Sequence, residues 1–293
     1  MNWWKNLKGK VRLKESLKAH TTFRIGGPAK YFVEPKGIDD LRLLLNLVKR
    51  YKISTLVIGA GSNILINDKG IDGVVLRLNS PSFKKFSLKN NHLEVGAGCL
   101  LSKVVLLTKE YSLSGIEFLT GIPGTVGGAL VMNAGVSDKN ISDVVENVKV
   151  MDYNGNIKTL NKKDIKFGYR TSNLSKYIIL SVCIKLIKKN KEEIQNRIKR
   201  YSDYRRATQD LSWPSAGCIF KNPTQDAAGR LIDLCGLKGK RRGDACISQR
   251  HANFILNQGK ARAEDILKLM DLVRIEVKKK FNITLEAEIK IWK

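Results

Sequence analysis

Four stretches of the chain are predicted to form helices. Three of them place apolar residues at the three- and four-residue spacing of an amphipathic helix, and the fourth, residues 191–206, is highly charged. The apolar stripes are Leu41, Leu44, Leu45 and Val48 in residues 38–52; Leu101, Val104, Val105 and Thr108 in residues 100–113; and Ile266, Met270, Val273, Val277 and Phe281 in residues 263–281.

Alternating apolar and polar residues predict strands between these helices. Residues 20–35 indicate a strand, a tight turn at Gly26 and Gly27, and a second strand. Residues 54–66 indicate a strand, a glycine turn and a strand, and residues 92–101 a further strand. In residues 145–160, Asn154-Gly155 separates two alternating runs and predicts a β-hairpin.

The order of these elements divides the chain into three parts. No internal repeat of fixed period occurs, which excludes solenoids and propellers. We predict an α+β architecture with parts at residues 1–79, 80–190 and 191–293. In one version of this division the last strand returns to the first part.

Length and composition are those of a globular protein. The chain has 293 residues, of which 43% are apolar and 27% charged, and no uncharged apolar run reaches about 18 residues. A membrane-spanning helix is therefore excluded. The basic N-terminal segment lacks the apolar core of a secretory signal, so we expect a cytoplasmic protein.

The net charge is unusually high. With 53 Lys and Arg against 27 Asp and Glu, the chain carries +26. This charge favours an anionic partner, either a nucleic acid or a small substrate, although lysines scattered over solvated faces would give the same total. Because no zinc-finger spacing, RNA-recognition motif or arginine-rich run occurs, we predict that nucleic acid is not a partner.

The cysteines and histidines indicate neither a disulfide framework nor a metal site. The five cysteines include no C-x-x-C pair, and the three histidines are far apart in the chain. We predict no metal in this protein.

Two glycine-rich segments are candidates for cofactor binding. In the first, residues 59–63, Ile64 stands where a Rossmann motif requires its third glycine. The N–H groups of this turn would suit a phosphate, and a structural hairpin turn is equally compatible with the sequence. The second segment, residues 121–135, places glycines beside apolar residues, which indicates backbone packed against a cofactor or within a tight core turn.

Three further residues have two interpretations each. Cys218 follows a glycine and precedes Lys221 and Asn222, so it is a candidate reactive thiol, although a lone cysteine is more commonly buried. Arg170 lies in a polar loop and Glu288 in a C-terminal strand. Surface charge is the alternative interpretation for both.

Eight sequence blocks, in their order, resemble those of the UDP-N-acetylenolpyruvoylglucosamine reductase (MurB) family. They cover nearly the whole chain and are HTTFRIGGPA, VIGAGSNILI, GIPGTVGGALVMNAG, FGYRTS, PSAGCIFKNP, AGRLIDLCGLKG, SQRHANFILN and LEAEIKIW. The resemblance implies two α+β FAD-binding subdomains of the vanillyl-alcohol-oxidase type, at 1–79 and 80–190, and a C-terminal α+β substrate-binding domain at 191–293. The short spacing from Arg170 to Cys218 resembles the class that lacks an inserted loop.

The resemblance also implies roles for individual residues. The family's catalytic positions fall on Arg170, on Glu288 and on Cys218, where the general acid is normally a serine. Substrate-binding positions fall on Tyr169, Lys221 and Asn222. FAD contacts fall on Gly59, Ala60, Gly61, Ser62, Asn63, Gly121, Ile122, Pro123, Gly124, Thr125, Gly127, Gly128 and Asn133.

By this resemblance the chain is expected to be a monomeric, NADPH-dependent flavoenzyme of peptidoglycan synthesis, and so of cell-wall growth, cell shape and division. Noncovalent FAD would pass a hydride from NADPH to UDP-N-acetylglucosamine enolpyruvate, giving UDP-N-acetylmuramate. Arg170 and Glu288 would stabilise the enolate, and Cys218 would protonate it. Two alternatives are another FAD-dependent oxidoreductase on the same scaffold and a basic polyanion-binding protein.

Overall fold

The chain passes back and forth between two units in the computed structural model, which describes residues 3–136 and 138–293. Unit 1 comprises the chain up to Leu13, Tyr31–Ala60 and Gly73–Tyr204. Unit 2 comprises Lys14–Lys30, Gly61–Asp72 and Arg205–Lys293. The assignment of FAD binding to residues 1–79 and 80–190, and of substrate binding to residues 191–293, stays a prediction.

The predicted helices are confirmed, and two short ones are added. The α-helices are α1 (Ile38–Arg50), α2 (Leu101–Glu110), α3 (Val126–Val131), α4 (Lys191–Thr208), α5 (Ala228–Leu234) and α6 (Ala263–Phe281). The apolar stripes predicted for α1, α2 and α6 are buried, except that Phe281 is only partly covered. None of the helices in the described parts of the chain is both long and apolar enough to cross a membrane.

An antiparallel sheet of five strands forms the largest part of unit 1. Its strands are β6 (Phe86–Lys89), β7 (His92–Gly96), β11 (Val145–Met151), β12 (Ile157–Asn161) and β15 (Ile178–Lys185), in the order β12-β11-β15-β7-β6. The hairpin predicted at Asn154-Gly155 joins β11 to β12 and is confirmed, with φ 85° at Gly155.

A four-stranded sheet has the order β1-β2-β5-β3. Its strands are β1 (Lys10–Ser16), β2 (Pro28–Glu34), β3 (Thr55–Ile58) and β5 (Ile71–Arg77), and β3 runs parallel to β5. Strand β4 (Ile64–Ile66) pairs instead with the last strand of the chain, β20 (Lys290–Trp292), in parallel. Because β3 and β4 lie in different sheets, the hairpin interpretation of the turn between them is wrong.

The remaining strands are short. A three-stranded sheet in unit 2 has β18 (Ala245–Ile247) between β17 (Arg241–Arg242) and β19 (Ile255–Asn257). The two-stranded pairs are β8 (Leu113–Ser114) with β16 (Ile187–Lys188), β9 (Gly135–Val136) with β10 (Lys139–Asn140), and β13 (Phe167–Gly168) with β14 (Thr171–Ser172).

The prediction of a strand before Gly26 is wrong. The chain forms a 3-10 turn at Leu17–His20 and then an irregular loop up to β2. Local hydrogen bonds hold this loop, because the Thr21 hydroxyl donates to the Ile25 carbonyl at 2.9 Å and the Leu17 N–H donates to the Gly27 carbonyl at 3.1 Å. A threonine side chain that satisfies nearby backbone groups competes with strand pairing.

Each unit has its own hydrophobic core. The core of unit 2 is built around α6, whose side chains Ile266, Met270 and Val273 are at most 1% exposed. Full burial of such a side chain contributes roughly 1.5–3 kcal/mol. The start of α6 is fixed by Asp68, whose carboxylate accepts the N–H of Ala263 at 3.1 Å, so a residue distant in sequence satisfies the helix N-terminus.

Candidate functional site

The second glycine-rich segment contains α3 and lies in unit 1. The Thr125 hydroxyl caps this helix by accepting the N–H of Gly128 at 3.3 Å. The N–H of Gly127 donates to the Ala97 carbonyl at 2.9 Å, and a Cβ on Gly127 would lie 3.1 Å from the Ala97 Cβ. Close packing within the protein therefore accounts for Gly127.

Gly128 lies on the exposed side of the same segment. A Cβ built on it would meet only the Thr125 hydroxyl oxygen, at the ordinary distance of 3.5 Å. The first glycine-rich segment reaches the same threonine, since a Cβ on Gly59 would lie 2.6 Å from that oxygen. Packing explains Gly59 but not Gly128, and exposed backbone without a side chain fits the close approach of a flat cofactor such as FAD.

The turn between β3 and β4 passes from unit 1 to unit 2 after Ala60. Gly61 has φ 66°, and a Cβ on it would lie 2.0 Å from the carbonyl oxygen of His20, so only glycine fits there. The side chain of Asn63 donates to the Glu288 carbonyl at 3.2 Å. This contact connects the predicted cofactor turn with a predicted catalytic residue within unit 2.

Arg170 occupies the two-residue loop of the β13–β14 hairpin, directly after Tyr169. Its guanidinium carbon lies 5.3 Å from the centroid of the Tyr169 ring. Its backbone has φ 53°, a left-handed conformation that costs a non-glycine residue about 1–2 kcal/mol. Tight two-residue hairpin loops commonly need such a conformation, and seven other non-glycine residues in the described parts of the chain also have a positive φ. The catalytic role of Arg170 therefore stays a prediction.

Two buried side chains hold this hairpin against the end of α3. The Ser172 hydroxyl lies 2.9 Å from the Leu130 carbonyl oxygen. The Asn133 side chain donates to the Gly168 carbonyl at 3.1 Å. Asn133 thus links the second glycine-rich segment to the hairpin that carries Arg170, and its FAD contact stays a prediction.

Cys218 begins a short extended segment in unit 2. It bridges to Phe254, and the following carbonyl, that of Ile219, accepts the N–H of Glu288 at 2.8 Å. Two of the predicted catalytic residues therefore lie on neighbouring extended segments. Gly217 has φ 75° and a Cβ on it would meet nothing within 4 Å, so backbone conformation is what requires glycine before Cys218.

Sequence reasoning missed a charged residue that interacts electrostatically with Cys218. Arg205 lies in the last turn of α4, at the start of unit 2. Burial lowers the pKa of the Arg205 guanidinium, and the charge of an ionised Cys218 opposes that shift. In the sequence Arg205 is one of many charges on a basic helix, so no spacing distinguishes it.

The other predicted substrate-binding residues have partners within the protein. Lys221 forms an ion pair of 2.6 Å with Glu286, and the Asn222 side chain accepts the N–H of Ala228 at 3.0 Å, at the start of α5. Their substrate contacts stay predictions. Unit 2 also contains an open pocket whose lining includes Arg24; among the described residues, none of those predicted for the site lines it.

Comparison of the chain with known proteins shows the family to which it belongs. The C-terminal domain model of UDP-N-acetylenolpyruvoylglucosamine reductase matches residues 209–292, and an FAD binding domain model matches residues 29–161. UDP-N-acetylenolpyruvoylglucosamine reductase 2 of Symbiobacterium thermophilum is 42% identical over 286 residues, 97% of this chain and 92% of the relative. The chain belongs to the UDP-N-acetylenolpyruvoylglucosamine reductase family. A second family member, from Caldicellulosiruptor saccharolyticus, is 44% identical over 277 residues, 93% of this chain and 89% of the relative.

A solved UDP-N-acetylenolpyruvoylglucosamine reductase has the same fold. The crystal structure of the Thermus caldophilus enzyme (MurB) matches with a TM-score of 0.84 at 38% identity and covers 98% of this chain and 100% of that chain. With the FAD-binding domain match, it confirms the predicted family, the α+β FAD-binding fold and FAD as the cofactor. The site residues assigned by resemblance stay predictions.

Proposed function

We propose that this chain is an NADPH-dependent reductase that converts UDP-N-acetylglucosamine enolpyruvate to UDP-N-acetylmuramate for peptidoglycan synthesis. The observation that carries the proposal is the similarity, over 97% of the chain, to a protein named for this reductase activity. We further propose that it acts as a monomer in the cytoplasm, with FAD-binding subdomains at 1–79 and 80–190 and a substrate-binding domain at 191–293.

Bound FAD would carry a hydride from NADPH to the terminal carbon of the enolpyruvyl group. We assign its contacts to the two glycine-rich segments, together with Asn133. The exposed backbone at Gly128 supports this assignment because a side chain there would occupy the space that a ring system needs. No histidine lies in either segment, which favours noncovalent binding.

Arg170 is assigned the role of stabilising the negative charge that moves into the substrate carboxylate when the hydride adds. A guanidinium is permanently charged and presents a rigid fork of donors that matches a carboxylate. The tight β13–β14 hairpin, held by Asn133 and Ser172, fixes its backbone before substrate arrives. Donors fixed in advance stabilise developing charge without reorganisation.

Cys218 is assigned as the donor of the proton to the adjacent substrate carbon. A thiol is a much stronger acid than an alcohol and is mostly protonated at neutral pH in an ordinary setting. After the transfer, the positive charge of Arg205 would attract the thiolate electrostatically, which supports this role. Glu288, next to Cys218, helps only in its protonated form, because a carboxylate would repel the enolate.

Purified protein allows a direct test of this function. We expect flavin absorbance, NADPH oxidation that accelerates when the enolpyruvyl nucleotide is added, and UDP-N-acetylmuramate detected by mass spectrometry. Protein without flavin absorbance would favour the polyanion-binding alternative. NADPH oxidation that consumes oxygen and ignores the enolpyruvyl nucleotide would favour a different FAD-dependent oxidoreductase.

Substitution of Gly128 by valine is expected to weaken FAD binding by about tenfold or more, equivalent to about 1.4 kcal/mol. The added side chain would project from exposed backbone where only the Thr125 hydroxyl lies nearby, so steric overlap with FAD is the expected cause. Flavin content and the FAD dissociation constant measure the effect. Gly37→Val is the matched control, because a Cβ on Gly37 also meets only a serine side chain, at 3.5 Å; full flavin occupancy in Gly128→Val would contradict the assignment.

Salt is expected to lower kcat/KM for the enolpyruvyl nucleotide. The net charge of +26 attracts an anionic substrate over long distances. Raising ionic strength from 0.01 M to 0.15 M shortens the Debye length from about 30 Å to about 8 Å and screens that attraction. An uncharged osmolyte at equal osmolality serves as control, and a flat salt profile would leave the lysines without a role in capture.

A further inference from the structure

We propose that Asn253 is a positioning residue that fixes the backbone segment carrying Cys218. The proposal rests on the proposed function only for the role of Cys218 as proton donor. The contacts themselves lie entirely within unit 2.

The Asn253 side chain pairs with both backbone groups of one residue. It is 2% exposed. Its Oδ1 accepts the N–H of Phe220 at 2.9 Å, and its Nδ2 donates to the Phe220 carbonyl at 2.7 Å. Its own backbone carbonyl accepts the N–H of Ile219 at 2.9 Å. Three hydrogen bonds from one asparagine thus hold the two residues that follow Cys218.

The other side of Cys218 is not held in this way. Gly217 precedes it in a left-handed conformation, and apart from its chain neighbours no heavy atom lies within 4 Å of where its Cβ would be. Glycine allows the backbone many conformations at low cost. The Asn253 clamp on the C-terminal side, together with the backbone bridge from Cys218 to Phe254, therefore sets where the half-buried thiol lies. The same segment accepts the N–H of Glu288 through Ile219, so the clamp fixes both predicted catalytic residues of unit 2.

Asn253 is itself anchored. Its N–H donates to the Nδ1 atom of His251 at 3.3 Å. Burial lowers the pKa of His251, so the imidazole is neutral at neutral pH and offers an acceptor nitrogen. The Asn253 Cβ also lies 3.6 Å from where a Cβ on Gly229 of α5 would stand, so a side chain at position 229 would touch it. The bond to His251 thus fixes the Asn253 backbone, from which the side chain reaches Phe220.

Asn253→Leu separates positioning from a general loss of stability. Leucine has a similar size but leaves the Phe220 N–H and carbonyl without their partner, which destabilises any buried backbone. Ile266→Ala is the control, because it destabilises the same core from α6 and removes no hydrogen bond to the Cys218 segment. Both variants are assayed well below their unfolding temperatures, with FAD bound.

The first measurement compares the two half-reactions by stopped flow. In Asn253→Leu we expect flavin reduction by NADPH to stay within about twofold of the parent. Flavin reoxidation by the enolpyruvyl nucleotide should slow by roughly 10- to 100-fold, since small displacements of a reacting group cost rates of this order. Ile266→Ala should leave both rates near those of the parent. Equal reoxidation rates in the two variants would overturn the proposal.

The second measurement does not require the proposed function. Iodoacetamide modification of each cysteine is followed by peptide mass spectrometry, with Cys99 of unit 1 as the internal reference. In Asn253→Leu the ratio of the Cys218 rate to the Cys99 rate should rise about threefold or more, because the released segment opens more often. An unchanged or lower ratio would overturn the clamp. If the parent did not reduce the enolpyruvyl nucleotide, the proposed function would be wrong. The ratio of the Cys218 and Cys99 modification rates would then be the only test of whether Asn253 holds the Cys218 segment.

Discussion

Cys218→Ala is expected to slow reoxidation of the flavin by the enolpyruvyl nucleotide by roughly 10²–10⁴-fold, the usual effect of removing a positioned general acid. Reduction of the flavin by NADPH needs no proton from Cys218 and should stay near the parental rate. Stopped-flow absorbance of the two half-reactions measures both effects in one preparation. A Cys218→Ala enzyme that consumes the substrate at the parental rate would leave Cys218 as a half-buried structural thiol.

Cys218→Ser is the matched variant for this experiment. The hydroxyl restores the donor that the resemblance gives as usual for the family, so substantial activity is expected. A hydroxyl is not alkylated by iodoacetamide or oxidised by peroxide under conditions that modify thiols. The serine enzyme should therefore survive treatments that inactivate the parent, and equal sensitivity of the two would place the reactive thiol elsewhere among the five cysteines.

Arg170→Ala is expected to lower the rate of substrate reduction by roughly 10²–10³-fold, the scale for loss of one preorganised donor to a developing anion. Arg170→Lys keeps the charge but loses the fork of donors, so its rate should fall between those of alanine and arginine. Single-turnover kinetics with the enolpyruvyl nucleotide gives the comparison.

Arg170→Gly controls for the backbone strain at this position. Because φ is 53°, glycine relieves strain that alanine retains, and the glycine variant should unfold at the higher temperature of the two. Both lack the guanidinium, so their rates should be equally low. A glycine variant much faster than the alanine variant would mean that hairpin geometry, rather than the charge of Arg170, limits the reaction.

Local sequence pattern was sufficient for the elements whose stability is local. The helical stripes of α1, α2 and α6 and the turn at Asn154-Gly155 each depend on residues a few positions apart, and all were predicted correctly. Strand partners were not predictable in this way. One version of the predicted division returns the last strand to the first part of the chain, and Lys290–Trp292 does pair with Ile64–Ile66 there. Nothing near residue 64, however, encodes which strand is the partner. The prediction of a strand before Gly26 was wrong because the Thr21 hydroxyl bonds to the Ile25 carbonyl. In a strand, that carbonyl would be available to pair with a neighbouring strand.

The candidate site likewise has residues that could be predicted from the sequence and residues that could not. The resemblance supplied Arg170, Cys218 and Glu288, but residue types alone left each of them open between a functional and a structural role. The strained φ of Arg170 and the bond from Glu288 to Ile219 become visible only in three dimensions. Asn253, which we propose positions Cys218, and Arg205, which interacts with it electrostatically, are one buried amide and one charge among many in the sequence. No motif marks either of them.

The interleaving of the two units sets an order for folding during synthesis. All five strands of the large sheet in unit 1 have been made once residue 185 is complete, so that sheet can pair while the chain is still being translated. Unit 2 must wait, because Ile64–Ile66 needs the last strand of the chain, Lys290–Trp292, as its partner. Its early segments therefore stay incomplete until Lys290–Trp292 has been made. Assembly of the unit that carries Cys218 and Glu288 finishes only after that strand has emerged from the ribosome.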